Sequence, residues 1–551
     1  MATTTTPPAT ATPLNQPPPR EGLDEYATNA PLVEAVERHD AGWADERLRT
    51  AGRLVGEAAF QRWSADADRH PPVLVTHDRA GRRIDEVEYH PSYHAVIGRA
   101  VEHGAHSLAW TDPRPGAHVA RAAMFMLFAQ VEPGHACPTS MTHSAVPALR
   151  AEPGLAAEWE PRLTSTRYDP VLAPPQDKAG ALCGMAMTEK QGGSDLRQTT
   201  TAARPVDAGA GEYELTGHKW FCSAPMCDLF LTLARTDEGI SCFALPRVLP
   251  DGTRNGFRVE RLKDKLGNRS NASSEVVFEA ARARLVGEPG RGIPTIIEMV
   301  SHARLDCILG TTAGMRHAVA EAAWYAAHRV AFGRRLAEQP LMENVLADLC
   351  LEAEAATAVS LRLARAYDAD ADDRERAFRR LATAVSKYWV CKRGPRHAFE
   401  AMECLGGNGY VETFPVARRY REQPITSIWE GSGNVICLDV LRALVREPHT
   451  LDALLAELDE SAGADRRLDA YVDALRAELR DGNELERRAR RLTERMALAL
   501  QASLLVRHAP RAVADAFCAA RLDGAGGAEY GTLPAGASAR AIVARHAPEV
   551  A

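Results

Sequence analysis

The sequence predicts an α+β protein that is mainly α, and three observations predict it. Apolar residues recur at three and four positions on either side of a central stretch, which is the helical period. Within that stretch, from Ala181 to about Gly292, the period falls to two and Gly, Asp and Pro turns interrupt it. A chain of 551 residues also exceeds what one core usually holds, so several domains are expected. They divide as a tail over 1–20, an N-terminal helical domain over 21–180, a β domain over 181–292, a helical bundle over 293–440 and a helical extension over 441–551.

The tail is rich in Thr, Pro and Ala and reads as disordered; it lacks the charged start and apolar segment of a signal peptide. From Gly22 to Asp177 the helical period is carried by runs such as Leu32, Val33, Ala35 and Val36, and again by Val119, Ala122, Ala123, Met126 and Leu127. The β domain holds the short apolar runs that begin at Leu229, Ser241 and Glu275, while the bundle holds long segments at Ala313–Ala331 and Met342–Tyr367. No apolar run is long enough to cross a bilayer, so no transmembrane helix is expected and the cytoplasm is the default compartment. The net charge of −7 argues against a uniformly basic coat for nucleic acid and leaves only local patches. The 11 cysteines show neither Cys-x-x-Cys nor His/Cys ligand spacing, which predicts reduced thiols, no disulfide and no structural metal.

Three segments carry candidate chemistry. In Met187-Thr188-Glu-Lys190-Gln-Gly-Gly193-Ser194-Asp195 the glycine pair allows a tight turn whose N–H groups reach an anion, and Ser194 adds a hydroxyl. A strand that opens after a turn at Gly217 then places Trp220 and Cys222 on one face, with Phe221 and Ser223 on the other. An aromatic plane beside an anion turn suits a flat ring ligand. The second segment comprises Arg329, Phe332 and Gln339 in one run and Glu403, Gly406 and Gly407 in another. Alone, these would be a solvated basic helix end and a helix stop. The third is Ile428-Trp-Glu430-Gly-Ser432-Gly-Asn434, a turn carboxylate just before a helix that begins near Ser432.

Together and in this order, these segments resemble the acyl-CoA dehydrogenase flavoproteins. The family's Thr-Glu-Pro-x-x-Gly-Ser-Asp turn is matched at Thr188–Asp195, with Lys190 in place of Pro, and its Lys-x-Trp strand at Lys219–Ser223. The resemblance implies the helix–barrel–bundle fold and FAD as cofactor, with Met187, Thr188, Gly193 and Ser194 at the flavin and its pyrophosphate. Trp220 would cover one ring face, and Cys222 would stand where the family has a Thr facing flavin N5, with Ser223 next to it in the cofactor set. It further implies that Arg329, Phe332 and Gln339, together with Glu403, Gly406 and Gly407, approach an FAD bound mainly by another subunit; Glu403 replaces the family's usual Gln. Ser432 and Asn434 complete the cofactor set. Glu430 matches the base that takes the α-proton of an acyl-CoA thioester while a hydride leaves the β-carbon. Such a carboxylate needs a dry site and a raised pKa. The family's alternative base position holds Ala303, and the Arg beside it is Arg304, an electrostatic neighbour of Glu430 in the catalytic set. Asp306 reads most simply as the partner of a nearby Arg.

The extension uses Arg without Lys, and from Arg487 to Arg521 it holds eight Arg against Glu494 and Asp515. Arg487, Arg488, Arg491 and Arg495 share a helical stripe that could follow a phosphate backbone, although a solvated face or salt bridges would look the same. Residues Leu14–Pro19, Arg261–Ser273 and Ser427–Asn434 are similar to a branch of the family linked to the bacterial response to DNA alkylation. That similarity implies tetramers, weak activity on isovaleryl-CoA and double-stranded DNA binding through the extension, with Arg442 and the stripe as contacts; an electron-transfer flavoprotein is the family's usual acceptor. The alternative is a DNA-associated protective flavoprotein that deactivates alkylating agents and retains a vestigial dehydrogenase site.

Overall fold

The structure, a computed structural model, describes residues 14–547. Residues 1–13 of the expected tail lie outside the described residues. Residues 14–20 do not form a loose tail: Asn15 exchanges hydrogen bonds with the backbone of Val330, Trp324 donates to the carbonyl of Pro18, and Arg20 is buried in an ion pair with Glu25.

The N-terminal part contains α1 (Ala30–Arg38), α2 (Asp45–Gly56), α3 (Ala58–Arg69), α4 (Pro91–Glu102), α5 (Leu108–Thr111), α6 (Ala117–Ala129), α7 (Ala136–Leu149) and α8 (Pro153–Leu163). Between α3 and α4 stands a hairpin absent from the helical reading, β1 (Val73–His77) paired with β2 (Arg83–Glu88). Its signal is the alternating Val-Leu-Val-Thr-His run followed by an Asp78 turn, where the Asp78 carboxylate accepts from the N–H groups of Ala80 and Arg82.

Strands β3 (Cys183–Ala186), β4 (Ala202–Asp207), β5 (Glu212–Ser223), β6 (Leu229–Thr236), β7 (Gly239–Pro246), β8 (Phe257–Leu262) and β9 (Ser273–Val286) follow. They pair in the order β3-β6-β4-β5-β9-β7, β8 adds to β9, and β7 also pairs with β6, so the sheet closes on itself as a barrel. Phe230, Phe243, Phe257 and Phe278 fill it.

The bundle consists of α9 (Gly292–His328), α10 (Pro340–Arg365), α11 (Asp373–Glu403), α12 (Pro415–Thr426) and α13 (Gly433–Arg446). Proline in its first turn starts α10, with Glu343 near that positive end and Arg362 and Arg365 near the other; the Asp372 carboxylate caps α11 through the N–H of Glu375. Helix α9 stops at His328 rather than at Ala331, and the 440 boundary falls inside α13. The extension comprises α14 (His449–Asp459), α15 (Arg466–Arg480), α16 (Leu485–His508), α17 (Arg511–Phe517) and α18 (Ala539–Ala544). It is not a detached module, because Met496, Leu500 and Leu504 of α16 share one core with α6, α9, α10 and α11.

Every residue of α6 is buried, Arg121 included. Its guanidinium grips both carboxylate oxygens of Asp306 on α9, with one contact at 2.9 Å, and donates to the carbonyl of Ala105 at 2.8 Å. Removing one partner of such a pair strands the other charge in the core. Asp306→Ala is therefore expected to lower stability by about 3–5 kcal/mol, seen as an earlier urea midpoint by circular dichroism; an unchanged midpoint would leave the pair without a structural role.

Candidate active site

The cradle begins where β3 ends. The backbone turns between Glu189 and Gly192, whose N–H and C=O groups pair with each other, and the N–H of Trp220 on β5 donates to the carbonyl of Thr188 at 2.8 Å. Gly193 is required here, since a Cβ would stand 2.3 Å from the Thr188 hydroxyl. Behind the turn Glu189 is fully buried and accepts from the N–H and hydroxyl groups of both Thr200 and Thr201, and from Lys219 Nζ at 2.9 Å. Burial alone would raise this carboxyl; Lys219 and the threonine donors outweigh burial and hold it far below the usual range. Lys219 spends a second proton on the carbonyl of Leu233, so the pair ties the turn to β5 and β6.

Two expectations about β5 change. Gly217 is not a turn; the strand runs through it with a register shift, and a second shift falls between Lys219 and Cys222. The second bulge breaks the alternation, turning Lys219 and Cys222 inward while Phe221 is exposed. Cys222, with no accessible surface, thus belongs to the barrel core and is withdrawn from the cradle. Trp220 stays half-buried at the surface, with Lys263 Nζ 3.4 Å from its ring centroid, so a flat ring ligand has to use the other face. Ser223, half-buried, shares a 3.3 Å hydrogen bond with Ser273. Met187 and Thr188 are half-buried and Ser194 is exposed.

Glu430 sits between α12 and α13 in the left-handed region (φ 55°), and Gly431 follows at φ 109°. A buried lysine and a partly buried arginine hold the three carbonyls of this turn. Lys387 Nζ donates to those of Trp429 (2.9 Å) and Gly431 (2.5 Å), and Arg304 Nε to that of Glu430 (3.1 Å). Arg304 is itself fixed by Asp439 at 2.7 Å. Among the described residues the Glu430 carboxylate accepts no hydrogen bond. Burial, opposed by Arg304 and Lys387, lifts its carboxyl above the usual range. Arg304 therefore acts as a positioning residue through the backbone of Glu430. Cys137 of α7 lies between the two halves, hydrogen-bonded to Ser223 and raised further by the charge of Glu430; burial pushes its thiol to about 11. Burial pushes Lys265, which donates to the Asn271 carbonyl and the Ser273 hydroxyl, down to about 8. Lys387 and Cys137 had no signal in the sequence, whereas Lys219, Glu189 and Lys265 stand inside the quoted motifs without an assigned role.

The remaining predicted cofactor residues lie elsewhere. Arg329 follows α9 and donates to the carbonyl of Asn15, Gln339 Nε2 donates to the carbonyl of Ala331, and Phe332 is 96% exposed. Glu403, Gly406 and Gly407 are exposed on the turn after α11, where Asn408 donates to Gln16 and to the Tyr325 hydroxyl. Along α9, Arg304 and Arg329 are about 37 Å apart at 1.5 Å per residue. Ser432 stands at the N-cap position of α13 without a side-chain capping bond, and the Asn434 side-chain oxygen accepts from Arg490 of α16 at 2.8 Å.

The arginine stripe is not one free surface. Arg488 donates to the carbonyls of Asn483 and Asp481, and Arg495 is paired with Glu478 at 2.6 Å and laid over Tyr471; both are turned into the seam with α15 because Glu478 there offers the counter-charge. Arg487 and Arg491 stay outside, with side chains 82% and 69% exposed, and Arg442 is 56% exposed.

Residues 15–170 match the family described as the adaptive response protein AidB N-terminal domain; residues 184–281 match the acyl-CoA dehydrogenase middle domain, and residues 290–445 its C-terminal domain. The putative acyl-CoA dehydrogenase AidB of Escherichia coli (strain K12) is 45% identical over 520 residues, 94% of this chain and 95% of that one. Among solved structures, Caenorhabditis elegans ACDH-11 in complex with C11-CoA superposes with a TM-score of 0.84 at 26% identity, covering 93% of each chain. The apo form of Bd2924 superposes with a TM-score of 0.81 at 28% identity, covering 90% of this chain and 99% of that one. With the barrel's turn, the Glu430 loop and these matches in the same order along one chain, the protein belongs to the acyl-CoA dehydrogenase family, oxidoreductases that act on CH–CH bonds.

Proposed function

We propose that the protein is an FAD-dependent dehydrogenase of a short or branched acyl-CoA of the isovaleryl kind, with Glu430 as its base. The observation that carries this reading is the state of that carboxylate: raised, held by no donor, and presented on a turn whose three carbonyls are held by Lys387 and Arg304. The acyl-CoA class is supported by the C11-CoA bound in the C. elegans relative.

The cradle fits a flavin dinucleotide. The Gly192–Gly193 turn leaves backbone N–H groups and the Ser194 hydroxyl toward an anion, Thr188 edges it, and Trp220 offers one flat face. FAD, when bound, supplies the acceptor for the hydride that leaves the β-carbon. Glu430 takes the α-proton, and Arg304 and Lys387 hold it in place against its own burial. Ser223 and the half-buried wall around Trp429 keep the reacting carbons from water. Arg329, about 37 Å along α9 from Arg304, serves the FAD of another copy in a homotetramer, together with Phe332, Gln339, Glu403, Gly406 and Gly407. An electron-transfer flavoprotein is the acceptor in this reading, and the 11 buried free cysteines suit the reducing cytoplasm.

A second reading is favoured by Arg487, Arg491 and Arg442, which stay exposed along the extension: double-stranded DNA binding, in a protective flavoprotein that takes part in the response to DNA alkylation.

Anaerobic titration with a panel of acyl-CoAs is expected to bleach the oxidised flavin band stoichiometrically. Glu430→Gln should keep FAD while slowing that reduction by about 10²–10⁴-fold; reduction at the wild-type rate would remove Glu430 from the chemistry. The same substitution reads out in stability. With its carboxyl raised, folded Glu430 holds a proton to higher pH than the unfolded chain does, so the side chain costs stability as pH rises past the ordinary carboxylate range. Glu430→Gln is expected to melt above the wild type at neutral pH, and the two should converge in mild acid. For DNA, replacing Arg487 and Arg491 with Ala should weaken duplex binding and lessen the slope of log affinity against log salt by about 2. Equal slopes would make these residues ordinary surface.

A further inference from the structure

Three histidines from distant parts of the chain meet inside the protein. His118 opens α6, His143 lies in α7 and His302 in α9, and all three are buried. Their ring centroids form a nearly equilateral triangle of 5.5, 5.7 and 5.4 Å. One nitrogen from each lies within 4.8 Å of the other two. A zinc ion about 2.0–2.1 Å from each nitrogen would need them roughly 3.4 Å apart, within reach of small side-chain rotations.

The rings are set up as ligands. Nδ1 of His143 lies 3.0 Å from the carbonyl of His106. A carbonyl only accepts, so Nδ1 carries the proton and Nε2 keeps its lone pair, the tautomer and outer contact that a metal-bound imidazole uses. His106 is oriented in turn by a 3.1 Å hydrogen bond to the carbonyl of Ser165. Nδ1 of His302 is buried and has no hydrogen-bonding partner among the described residues. The turn before His118 is fixed by Asp368, whose carboxylate accepts from the N–H groups of Gly116 and His118 at 2.8 and 2.7 Å. Trp110 stacks on His143 and lies edge-on to His118, while Tyr367 closes the side of His302. Of the nearby cations, Arg121 is answered by Asp306 and Arg150 by Glu160, while Arg379 lies 4.9 Å from the Tyr367 ring centroid and donates to the carbonyl of Ala366. Packing alone accounts for the aromatic contacts, but it leaves the buried Nδ1 of His302 without a partner among the described residues.

We propose that His118, His143 and His302 form a three-histidine site for a zinc-type divalent transition-metal ion, which pins α6, α7 and α9 together. Neutral nitrogen ligands in this number select zinc and its first-row neighbours over calcium or magnesium, which require oxygen ligands. The fourth position falls to water or hydroxide, and hydroxide suits a pocket that has no carboxylate ligand. Spacing along the chain could not show this site, because each ligand comes from a different helix.

The test uses the full-length, FAD-loaded protein, stripped with a chelator and dialysed against zinc chloride or cobalt(II) chloride. The expected result is one zinc per protomer by elemental analysis, with cobalt giving intense visible bands of tetrahedral nitrogen ligation at wavelengths beyond the flavin absorption. His143→Ala and His302→Ala should lose the bound ion and its bands, and His70→Ala, which alters an exposed histidine, should keep both. His302→Gln preserves side-chain bulk and tests the ligand if the alanine variant does not fold. Zinc should also raise the melting temperature of the wild type and leave that of a folded His302→Gln unchanged. Substoichiometric zinc in the wild type, or a full equivalent retained in folded His143→Ala and His302→Gln, overturns the proposal.

Discussion

Lys219 and Glu189 form an ion pair with no water left around it, and the ligand-facing surface of the barrel rests on that pair. An unanswered charge there would cost several kcal/mol, so the turn after β3 has one place to lie: against β5, where Lys219 waits, with Thr200 and Thr201 filling the remaining lone pairs of the carboxylate. The surface beyond it, from Gly192 to Ser194, is free to be polar and open because its anchor is closed and satisfied. The same division recurs at the Glu430 loop. There the main chain is restrained by Lys387 and Arg304 and the side chain is left unrestrained, so the carboxylate owes its position to the carbonyls of its own turn.

Charge burial of this kind also organises the larger assembly of helices. Arg121 with Asp306 joins the N-terminal helices to α9, Arg362 with Glu375 and Glu457 joins α10, α11 and α14, and Arg521 with Asp348 joins the extension to α10. Pairs of the same kind take up part of the arginine of the extension. Guanidinium groups are turned inward where acids on neighbouring helices meet them, as Glu478 does for Arg488 and Arg495.

The order of helices, strands and helices was legible from periodicity, and Glu430, Thr188 and Trp220 were singled out by motifs whose order along the chain is itself restrictive. What escaped had physical causes. The β1–β2 hairpin is short and sits within a helical neighbourhood, so its alternation spans too few residues to stand out. Cys222 was misplaced because a bulge shifts the face of a strand without altering its composition. Residues 14–20 look disordered by composition, yet Asn15 satisfies both backbone groups of Val330. Lys387 and Cys137 are contacts created by packing between elements far apart in sequence, for which a single chain offers no period or spacing. The stripe from Arg487 to Arg495 was visible as a pattern, but only the partner helix reveals which of its members face inward.

The backbone at Glu430 carries a further implication for how this chain can change. A non-glycine residue at φ 55° costs about 1–2 kcal/mol, and Gly431 beside it lies in the same half of conformational space. Glycine at position 430 would relieve that cost, and asparagine would bear it better than most side chains, whereas β-branched residues would fare worst. Backbone strain alone would therefore choose glycine or asparagine over glutamate at this position, so the loop carries its carboxylate at a cost to the stability of the fold.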